Sequence, residues 1–477
     1  MDPVDGRQQG REPVGAAAAR PWVRTVGVEE EFLLFDPVAR VPRAAASRVL
    51  ARAGERSPGL GPRLDGEGVG GLDVEFTREQ VETASAPQSS LAAVRACLVA
   101  LRRTVLDAGA AEGVALAATA TSPTPASSRP TPKRRYQRMY AEFGLTATEQ
   151  LTCGCHVHVA VRSRTEAVGA LDRLRPWLAP LVALSANSPF WQGRDTGYAS
   201  FRTQVWQRWP TAGPTAPFGS LAEYERLVDL LIGSGAALDG GMIYFDARLS
   251  RHWPTLELRV ADVCLSVDDT VLLAALARAL VSTMAADWAD GRPVPDVRPE
   301  LLRAASWRAA RYGLSAELLD PECGERATAR TVVDRLVTRV GPALAAAGDL
   351  ETVVRGVGEL FDRGTGADRQ RAAYHRRGRI HDVVDLVLRE TADDIGVAVA
   401  SRRSASPAGG PSPVAEPASA TPATTVAPRS HTLAAPAAAA PPSVAPADDM
   451  GAALPPGPVG CKRVIRVAEL GRPAQGS

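Results

Sequence analysis

The clearest shortage in this sequence is lysine. Lys and Arg together number 55, but the only lysines are Lys133 and Lys462, so nearly all the positive charge is arginine. A P-loop needs a lysine at the nucleotide phosphates, and a pyridoxal enzyme needs a lysine that forms a Schiff base. No G-x-x-x-x-G-K-[ST] segment is present. If this protein handles ATP, it does so with arginines and metal ions.

Long apolar runs and clustered cysteines are also missing. The chain starts at Met1 without an apolar run of signal-peptide length, and no apolar stretch approaches the roughly 20 residues that a membrane helix needs. Six cysteines spread over 477 residues do not make a secreted disulfide scaffold. A net charge of +2 gives no sign of a nucleic-acid or membrane partner. These absences predict a cytoplasmic enzyme.

Composition divides the chain into a body and two tails. Residues 1–21 are rich in Gly, Ala, Arg and Pro without periodicity, which predicts a flexible N-terminal tail. Residues 401–477 are rich in Pro, Ala, Ser and Thr, which predicts a disordered tail, with residues 461–467 as a short strand or docking peptide. The structured body, residues 22–400, is then one catalytic domain, and the Gly-rich residues 61–71 within it predict a mobile loop.

Apolar periodicity in the body predicts single strands that interleave with helices. Strands are expected at residues 25–35, 72–76, 151–161 and 256–260. Helices are expected after a cap at Ser89 or Ser90, at residues 165–184 with a break near Pro176, at residues 268–288, and two or three times within residues 326–389. This order predicts an α+β fold with a mainly antiparallel sheet.

The first candidate motif is the acidic strand at residues 26–35. Side chains alternate along a strand, so Glu29 and Glu31 share one face and Glu30 points to the other. Two carboxylates on one face of so apolar a strand repel each other unless a cation lies between them. The alternative is a solvated edge strand with an acidic patch.

The second motif places two cysteines and two histidines in residues 151–159. A zinc site is disfavoured because Cys153 and Cys155 face opposite to His156 and His158, and no CxxC pair elsewhere completes a cage. We therefore expect the cysteines to face the core and the histidines to face a site. The alternative is a pair of structural histidines with satisfied hydrogen bonds.

Two further groups of carboxylates accompany these motifs. Glu257 and Arg259 share one face of a short strand, as in a structural ion pair or in a site that holds both a metal ion and a phosphate. Glu75, Glu79 and Glu82 are spaced so that pairs of them could share a helix face, where surface charge is the simplest explanation.

Residues 196–214 combine aromatic side chains, arginines and turn residues at high density. Arg202 lies near the start of this stretch. The composition indicates an ordered substrate loop rather than a core element, and residues 198–209 are the candidate lid.

Taken together, residues 27–32, 154–159, 198–214 and 257–262 resemble the type 2 glutamate–cysteine ligase family, the YbdK-type carboxylate–amine ligases. They occur in the family's order, and the resemblance covers residues 22–395. It implies a glutamine-synthetase-like catalytic fold, in which a mainly antiparallel sheet carries carboxylates on its concave face and helices pack on the other face.

The resemblance also implies an activity and a set of site residues. The activity is ATP- and Mg²⁺-dependent ligation of the γ-carboxylate of glutamate to cysteine or another amine through an acyl-phosphate. The expected metal ligands are Glu29, Glu31, Glu75, Glu82 and Glu257. The resemblance assigns His156 and His158 to the nucleotide, Arg259 to the transferring phosphate and to the nucleotide, and Arg202 to the substrate or phosphate, with His156, Arg202 and Arg259 as catalytic residues.

Two other classes of function remain open at this stage. A metal-dependent hydrolase also places Glu and His on strands, usually with more His and Asp than His156 and His158 provide. A non-catalytic nucleotide or metabolite sensor is the second alternative. Only small-molecule partners are expected, without nucleic acid or membrane, and a homo-oligomer is left open.

Overall fold

The computed structural model of the chain describes residues 22–56 and 70–396. The tails predicted at residues 1–21 and 401–477 lie outside the described residues, as does most of the loop predicted at residues 61–71.

A seven-stranded antiparallel sheet forms the centre of the described chain. Its order is β2-β3-β1-β5-β9-β8, and β4 also pairs with β1. Two-stranded ribbons, β6-β7 and β10-β11, lie apart from it. The strands are β1 (Val26–Phe35), β2 (Gly71–Val74), β3 (Gln80–Ala84), β4 (Ala115–Ala117), β5 (Gly154–Ala160), β6 (Phe190–Trp191), β7 (Arg194–Asp195), β8 (Ala247–Leu249), β9 (Thr255–Asp262), β10 (Glu317–Leu319) and β11 (Arg326–Thr328).

Helices fill the intervals between the strands and most of the C-terminal half. They are α1 (Ala46–Arg56), α2 (Leu91–Ala111), α3 (Arg134–Phe143), α4 (Leu145–Thr148), α5 (Arg164–Leu174), α6 (Leu178–Ser185), α7 (Phe201–Trp206), α8 (Leu221–Gly233), α9 (Val267–Ala289), α10 (Pro299–Tyr312), α11 (Ala329–Ala347), α12 (Leu350–Arg363), α13 (Gly366–His375) and α14 (Ile380–Asp393). Ser90 caps α2 as predicted, and a turn of 3₁₀ helix containing Pro176 separates α5 from α6.

The two faces of β1 pack against different partners. Glu30 points to the helical side, where Arg102 of α2 donates to both of its carboxylate oxygens at 3.0 and 2.6 Å. Thr270 of α9 donates to the same carboxylate at 2.8 Å. Glu29 and Glu31 point to the opposite face, as their alternation predicts. The predicted α+β fold with an antiparallel sheet and helices on one face is confirmed.

The expectation that the chain has no stretch as apolar and as long as a membrane helix is wrong for helix α9. By length and composition this helix could cross a membrane, although the sequence was expected to contain no such stretch. Of its most apolar window, 83% is buried inside the protein, against α5, α11, α2 and α12. The apolar character of α9 therefore serves the core of the domain.

Three local predictions about elements are wrong. The segment with Glu75, Glu79 and Glu82 is not helical, because residues 71–84 form the β2–β3 hairpin. Residues 326–389 hold the four helices α11–α14 instead of two or three. The stretch predicted as an ordered substrate loop, residues 196–214, contains α7 and the buried Trp209, which is 2% exposed, so part of it belongs to the core.

Candidate active site

Charged side chains form a row across five neighbouring strands, on the face of the sheet opposite Glu30. Residues directly opposite each other in an antiparallel pair project to the same face. Glu82 of β3 is opposite Glu31 of β1, Glu29 of β1 is opposite His156 of β5, and His158 of β5 is opposite Glu257 of β9. Arg248 of β8 is opposite Glu257 and completes the row.

Glu29, His158 and Glu257 form what we call the outer cluster. Each offers a ligand atom, and these atoms lie within 4.8 Å of one another. The Nδ1 atom of His158 is 3.0 Å from the Thr255 hydroxyl, which orients the ring, and its Nε2 atom is 3.3 Å from Glu29. Carboxylate oxygens and a histidine nitrogen oriented by a second hydrogen bond are ligands suited to a divalent cation.

The outer cluster carries negative charge in the absence of a ligand. Burial alone would raise the pKa of Glu29, but the charge of His158 and hydrogen bonds from both histidines hold it well below its ordinary value. For Glu257, burial is outweighed by Arg248 and Arg259, which hold its pKa low. The pKa of His158 is raised, since Glu29 and Glu257 outweigh the effect of its burial.

Glu31, Glu75 and Glu82 form the inner cluster, whose ligand atoms also lie within 4.8 Å of one another. Burial and the neighbouring Glu75 raise the pKa of Glu31 to about 8. Burial also raises the pKa of Glu75, and burial together with Glu29 and Glu75 raises that of Glu82 well above the ordinary value. Three carboxylates this close repel one another when ionised, and a divalent cation removes that repulsion, so the residues fit a cation.

His156 lies between the two clusters. Its Nδ1 atom is 3.2 Å from Glu29, and its Nε2 atom is 3.8 Å from Glu31. Burial and the positive charge of Arg259 lower its pKa to about 4, so the imidazole is neutral near pH 7. Its buried Nε2 atom has no hydrogen-bond partner among the described residues, which suits a ligand atom.

Arg259 stands beside Glu257 at the boundary of the clusters. Its guanidinium forms an ion pair with Glu257, and its Nε atom is buried without a hydrogen bond to the described residues. The ring of Trp206 lies 5.6 Å from this guanidinium. Arg248 binds both oxygens of Glu257, at 2.7 and 3.2 Å, and the carbonyls of Gly241 and Ile243. Arg259 therefore keeps donors for a ligand, whereas four of the five donors of Arg248 are occupied.

Arg202 is positioned differently from the other predicted residues. It is 2% exposed, and its guanidinium lies on the site-facing side of the sheet beside Gly154 and His156. There it donates to the carbonyl oxygens of Arg259 and Val260 at 3.3 and 3.4 Å. Glu79 is also outside the row of charged residues, and its carboxylate accepts from the Arg129 amide at 3.0 Å. Cys153 and Cys155 are fully buried in the core, as alternation predicts.

Three adjoining cavities open along the row. An inner cavity of about 200 Å³ contains the inner cluster and is walled by aromatic side chains, whereas an outer polar cavity of about 490 Å³ contains the outer cluster. An apolar cleft of about 380 Å³ continues from Glu29 and His158 toward Val28, Pro87 and Trp253.

The sequence did not predict four residues of the site, Arg135, Tyr136, Tyr244 and Arg248, whereas Trp206 and Trp209 lie in the predicted substrate loop. Arg135 and Tyr136 of α3, with Trp206, Trp209 and Tyr244, line the inner cavity. Arg135 donates to Asp239 at 2.7 and 2.9 Å, and it lines the outer cavity as well. Arg248 sits on a strand of only three residues, too short to show alternation. The aromatic density of residues 198–209 was the one signal that pointed toward this wall.

Comparison with known proteins places this arrangement in a family. The family model described as glutamate–cysteine ligase family 2 matches residues 25–386. A protein of Frankia alni that carries the provisional name glutamate–cysteine ligase 2-2 is 70% identical over 379 residues, covering 77% of this chain and 97% of that protein. A protein of Streptomyces avermitilis with the provisional name glutamate–cysteine ligase 2-1 is 49% identical over 369 residues, covering 77% of this chain and 99% of that protein.

Solved structures agree on the fold. A glutamate–cysteine ligase from Francisella tularensis in complex with AMP matches with a TM-score of 0.56 at 12% identity, covering 78% of this chain and 89% of that chain. A bifunctional glutathione synthetase from Pasteurella multocida matches with a TM-score of 0.54 at 13% identity, covering 78% of this chain and 53% of that chain. At these identities the likeness concerns the fold.

Proposed function

Because the chain belongs to glutamate–cysteine ligase family 2 and is therefore an ATP-dependent carboxylate–amine ligase, we propose that it joins the γ-carboxylate of glutamate to an amine through an acyl-phosphate. The observation that carries the proposal is the pair of carboxylate clusters on one sheet face, with Arg259 between them. Cysteine, which the names of the relatives suggest, is the first amine to test.

The clusters suit Mg²⁺ at two neighbouring positions. Glu29, His158 and Glu257 would hold one ion, and Glu31, Glu75 and Glu82 the other, with His156 available to either. When bound, such ions supply charge neutralisation for the phosphate oxygens. Glu29 and Glu31 come from one strand, so β1 would hold both positions at a fixed separation.

The cavities suggest where each substrate binds. The nucleotide fits the outer side, because the larger polar cavity is continuous there with the apolar cleft, which suits a flat base. The smaller inner cavity suits an amino acid. Arg135 at its rim would bind the α-carboxylate, since Asp239 orients its guanidinium through Nε and Nη2, which leaves Nη1 for a ligand.

The proposed reaction has two steps. An oxygen of the γ-carboxylate attacks the γ-phosphorus of ATP, the new O–P bond forms as the bond to the bridging oxygen breaks, and ADP leaves. The amine nitrogen then attacks the acyl carbon, phosphate leaves, and the nitrogen loses a proton. Arg259 stabilises the charge on the transferring phosphoryl group, and the aromatic wall formed by Trp206, Trp209 and Tyr244 limits access of water to the acyl-phosphate.

The test is ADP release by the purified protein with Mg²⁺, ATP and glutamate, with mass spectrometry of products across a panel of amines that includes cysteine. We expect one γ-glutamyl amide per ADP. ADP without an amide for any amine would favour a hydrolase, and ATP binding without turnover would favour a sensor. Omission of glutamate is the control, since the acyl-phosphate cannot form without it.

The proposed compartment is the cytoplasm, which supplies ATP and free amino acids. Small molecules are the proposed partners, and the oligomeric state follows from sedimentation of the purified chain.

A further inference from the structure

Arg202 is separated from the three cavities although it belongs to a motif that suggests substrate binding. It lines neither the inner cavity, nor the outer cavity, nor the apolar cleft. Its side chain is enclosed between α7 and β9, and its guanidinium lies 5.5 Å from the ring of Trp206. The same ring lies 5.6 Å from the guanidinium of Arg259 on the cavity side. Arg202 and Arg259 are thus neighbours, and of the two only Arg259 lines a cavity, although the positive charge of Arg202 also acts to lower the pKa of Glu31.

A β-bulge in β9 explains what Arg202 does there. His158 is opposite Glu257 and Gly154 is opposite Asp262, so β9 has one residue more than β5 between these two pairs. The extra residue lies at Arg259–Val260, where the register shifts. A bulge removes ladder partners from the backbone and re-aims the side chain that it carries. The carbonyls of Arg259 and Val260 instead accept from Arg202 at 3.3 and 3.4 Å.

The backbone around the bulge leaves a space for this guanidinium. Gly154 of β5 faces Arg202, and a Cβ atom there would lie 2.3 Å from its Nη2 atom and 2.9 Å from the Nε2 atom of His156. The Arg259 amide donates to the Asp246 carbonyl at 2.9 Å. Both backbone groups of Arg259 are therefore held, the amide by Asp246, the residue before β8, and the carbonyl by Arg202.

Helix α7 is fixed so that Arg202 reaches the bulge. The buried carboxylate of Asp262 accepts from the Ser188 and Ser200 hydroxyls at 2.7 and 2.8 Å. The Ser188 hydroxyl accepts from the Arg202 amide at 3.0 Å. Asp262, at the end of the bulged strand, thus holds the start of the helix whose arginine supports the bulge.

We infer that Arg202 is a positioning residue that acts through Arg259: it holds the β9 bulge in the conformation that directs the Arg259 guanidinium between the two clusters. It contacts neither the nucleotide nor the amino acid. The inference rests on the proposed function only in assigning the transferring phosphate to Arg259.

The test is a double-mutant cycle of Arg202→Gln and Arg259→Gln. We expect Arg202→Gln to lower kcat about 10- to 100-fold, in the range seen for residues that orient others, with the KM values for ATP and the amino acid nearly unchanged. In the Arg259→Gln background the same change should have little further effect, because the group that it positions is gone. The inference would be overturned if the fold-losses in kcat of the two single variants multiply in the double variant. A large rise in the KM for ATP or for the amino acid in Arg202→Gln would also overturn it.

The matched control is Arg175→Gln. Arg175 is also a buried arginine that donates to backbone carbonyls, those of Asp172, Thr215 and Pro295, and it lies outside the site. Its replacement should lower thermal stability and leave kcat unchanged. If Arg202→Gln does not fold, Arg202→Lys, which cannot donate to both carbonyls with a planar fork, enters the same cycle.

Hydrogen exchange separates this inference from the proposed function. Amides of β9 around Arg259 should exchange faster in the Arg202 variant than in wild type, and the Arg175 variant should leave them protected. Unchanged exchange in β9 would overturn the positioning role even if ligase activity is found. If the β9 amides exchange faster in the Arg202 variant but the wild-type protein has no ligase activity, the positioning role of Arg202 is retained and only the proposed function is contradicted.

Discussion

Single carboxylates in this site differ in charge because of their immediate neighbours. Glu29 and Glu257 face histidines and arginines, which keep their pKa values low, whereas Glu31, Glu75 and Glu82 face one another and have raised pKa values. The outer cluster is therefore ionised near pH 7, and the inner cluster still retains protons. Replacement of an outer-cluster residue should therefore change turnover and cation binding, whereas replacement of an inner-cluster residue should also change how stability depends on pH.

The outer cluster gives the most direct test of cation binding. Glu257→Gln or Glu29→Gln should lower kcat by about 100-fold or more, because a neutral amide is a weaker ligand for Mg²⁺. The measurement is ADP release together with calorimetric Mg²⁺ titration. Glu223→Gln, at an exposed position on α8, is the control. Full turnover in both cluster variants would remove the outer cluster from the mechanism.

Arg135 should determine whether the substrate needs an α-carboxylate. A charge-assisted hydrogen bond contributes about 2 kcal/mol, so Arg135→Met should raise the KM for glutamate roughly 30-fold and the KM for ATP by much less. With 4-aminobutanoate, which lacks the α-carboxylate, the variant and the wild type should behave alike. Arg134→Met, at the exposed neighbouring position, is the control. Equal losses with both substrates would contradict the assignment.

Strand alternation was enough to predict much of the row of residues. It placed Glu29 with Glu31 and His156 with His158, and it set Cys153 apart in the core. It did not predict Arg135, whose helix contributes it from the rim, or Arg248, whose strand is too short for a pattern. The metal and phosphate roles came from family resemblance and remain predictions.

At the scale of elements, the central strand is fixed from its helical side. Arg102 and Glu30 are both fully buried, and Arg102 also donates to the carbonyls of Cys264 and Leu265 at 2.9 and 3.1 Å. This ion pair joins α2, β1 and the start of α9. The residue between the two site glutamates therefore sets the position of the strand that carries them.

Breaking that ion pair should destabilise the whole sheet. Arg102→Met leaves the Glu30 carboxylate buried without its cation, which should lower the free energy of unfolding by about 3–5 kcal/mol. Urea denaturation measures the loss. The control is Arg52→Met, which breaks an exposed pair with Glu55 and should cost less than about 1 kcal/mol. A loss as small as that of the control would contradict the role of Arg102.

Elements with ambiguous periodicity were predicted least well. Glu75, Glu79 and Glu82 fit a helical spacing, but Val81 and Thr83 are fully buried on one side of β3 while Glu82 faces the site. A five-residue strand is too short to exclude the helical pattern. The density of arginine and aromatic residues near Arg202 was interpreted as a loop, because the contacts that bury Trp209 come from distant segments.

At the scale of the whole molecule, the inner cluster makes stability depend on pH and cation. The pKa of Glu31 rises from 4.5 to about 8 on folding. The protonated Glu31 carboxyl therefore stabilises the folded state fully at pH values below its unfolded pKa of 4.5, and this stabilisation is lost as pH rises through about 8. With a chelator present, Tm should fall by on the order of a few degrees between about pH 5 and 8.

Added Mg²⁺ should raise Tm more at pH 8 than at pH 6, because at pH 6 it competes with bound protons. Scanning calorimetry across this range tests both expectations. Glu31→Gln should flatten the dependence, whereas Glu359→Gln, on the exposed face of α12, should not. A Tm that rises with pH in the chelated protein would contradict the electrostatic account of the inner cluster.

The overall architecture was predicted from resemblance more than from periodicity. Alternation and helical spacing gave the α+β class, but the strand order β2-β3-β1-β5-β9-β8 pairs segments far apart in sequence. No local pattern contains that information. The four motifs supplied only the expectation of a glutamine-synthetase-like sheet, because they occur together in one family, and they did not supply the strand order.

The bulge in β9 also restricts which insertions and deletions of single residues the chain can tolerate. Its extra residue switches the side-chain alternation within the strand, so Glu257 and Arg259 before it and Asp262 after it all project to one face. An in-frame loss of one codon there would restore regular pairing and turn either Arg259 or Asp262 toward the helices. Single-codon insertions and deletions should therefore be tolerated in surface turns long before they are tolerated at this position.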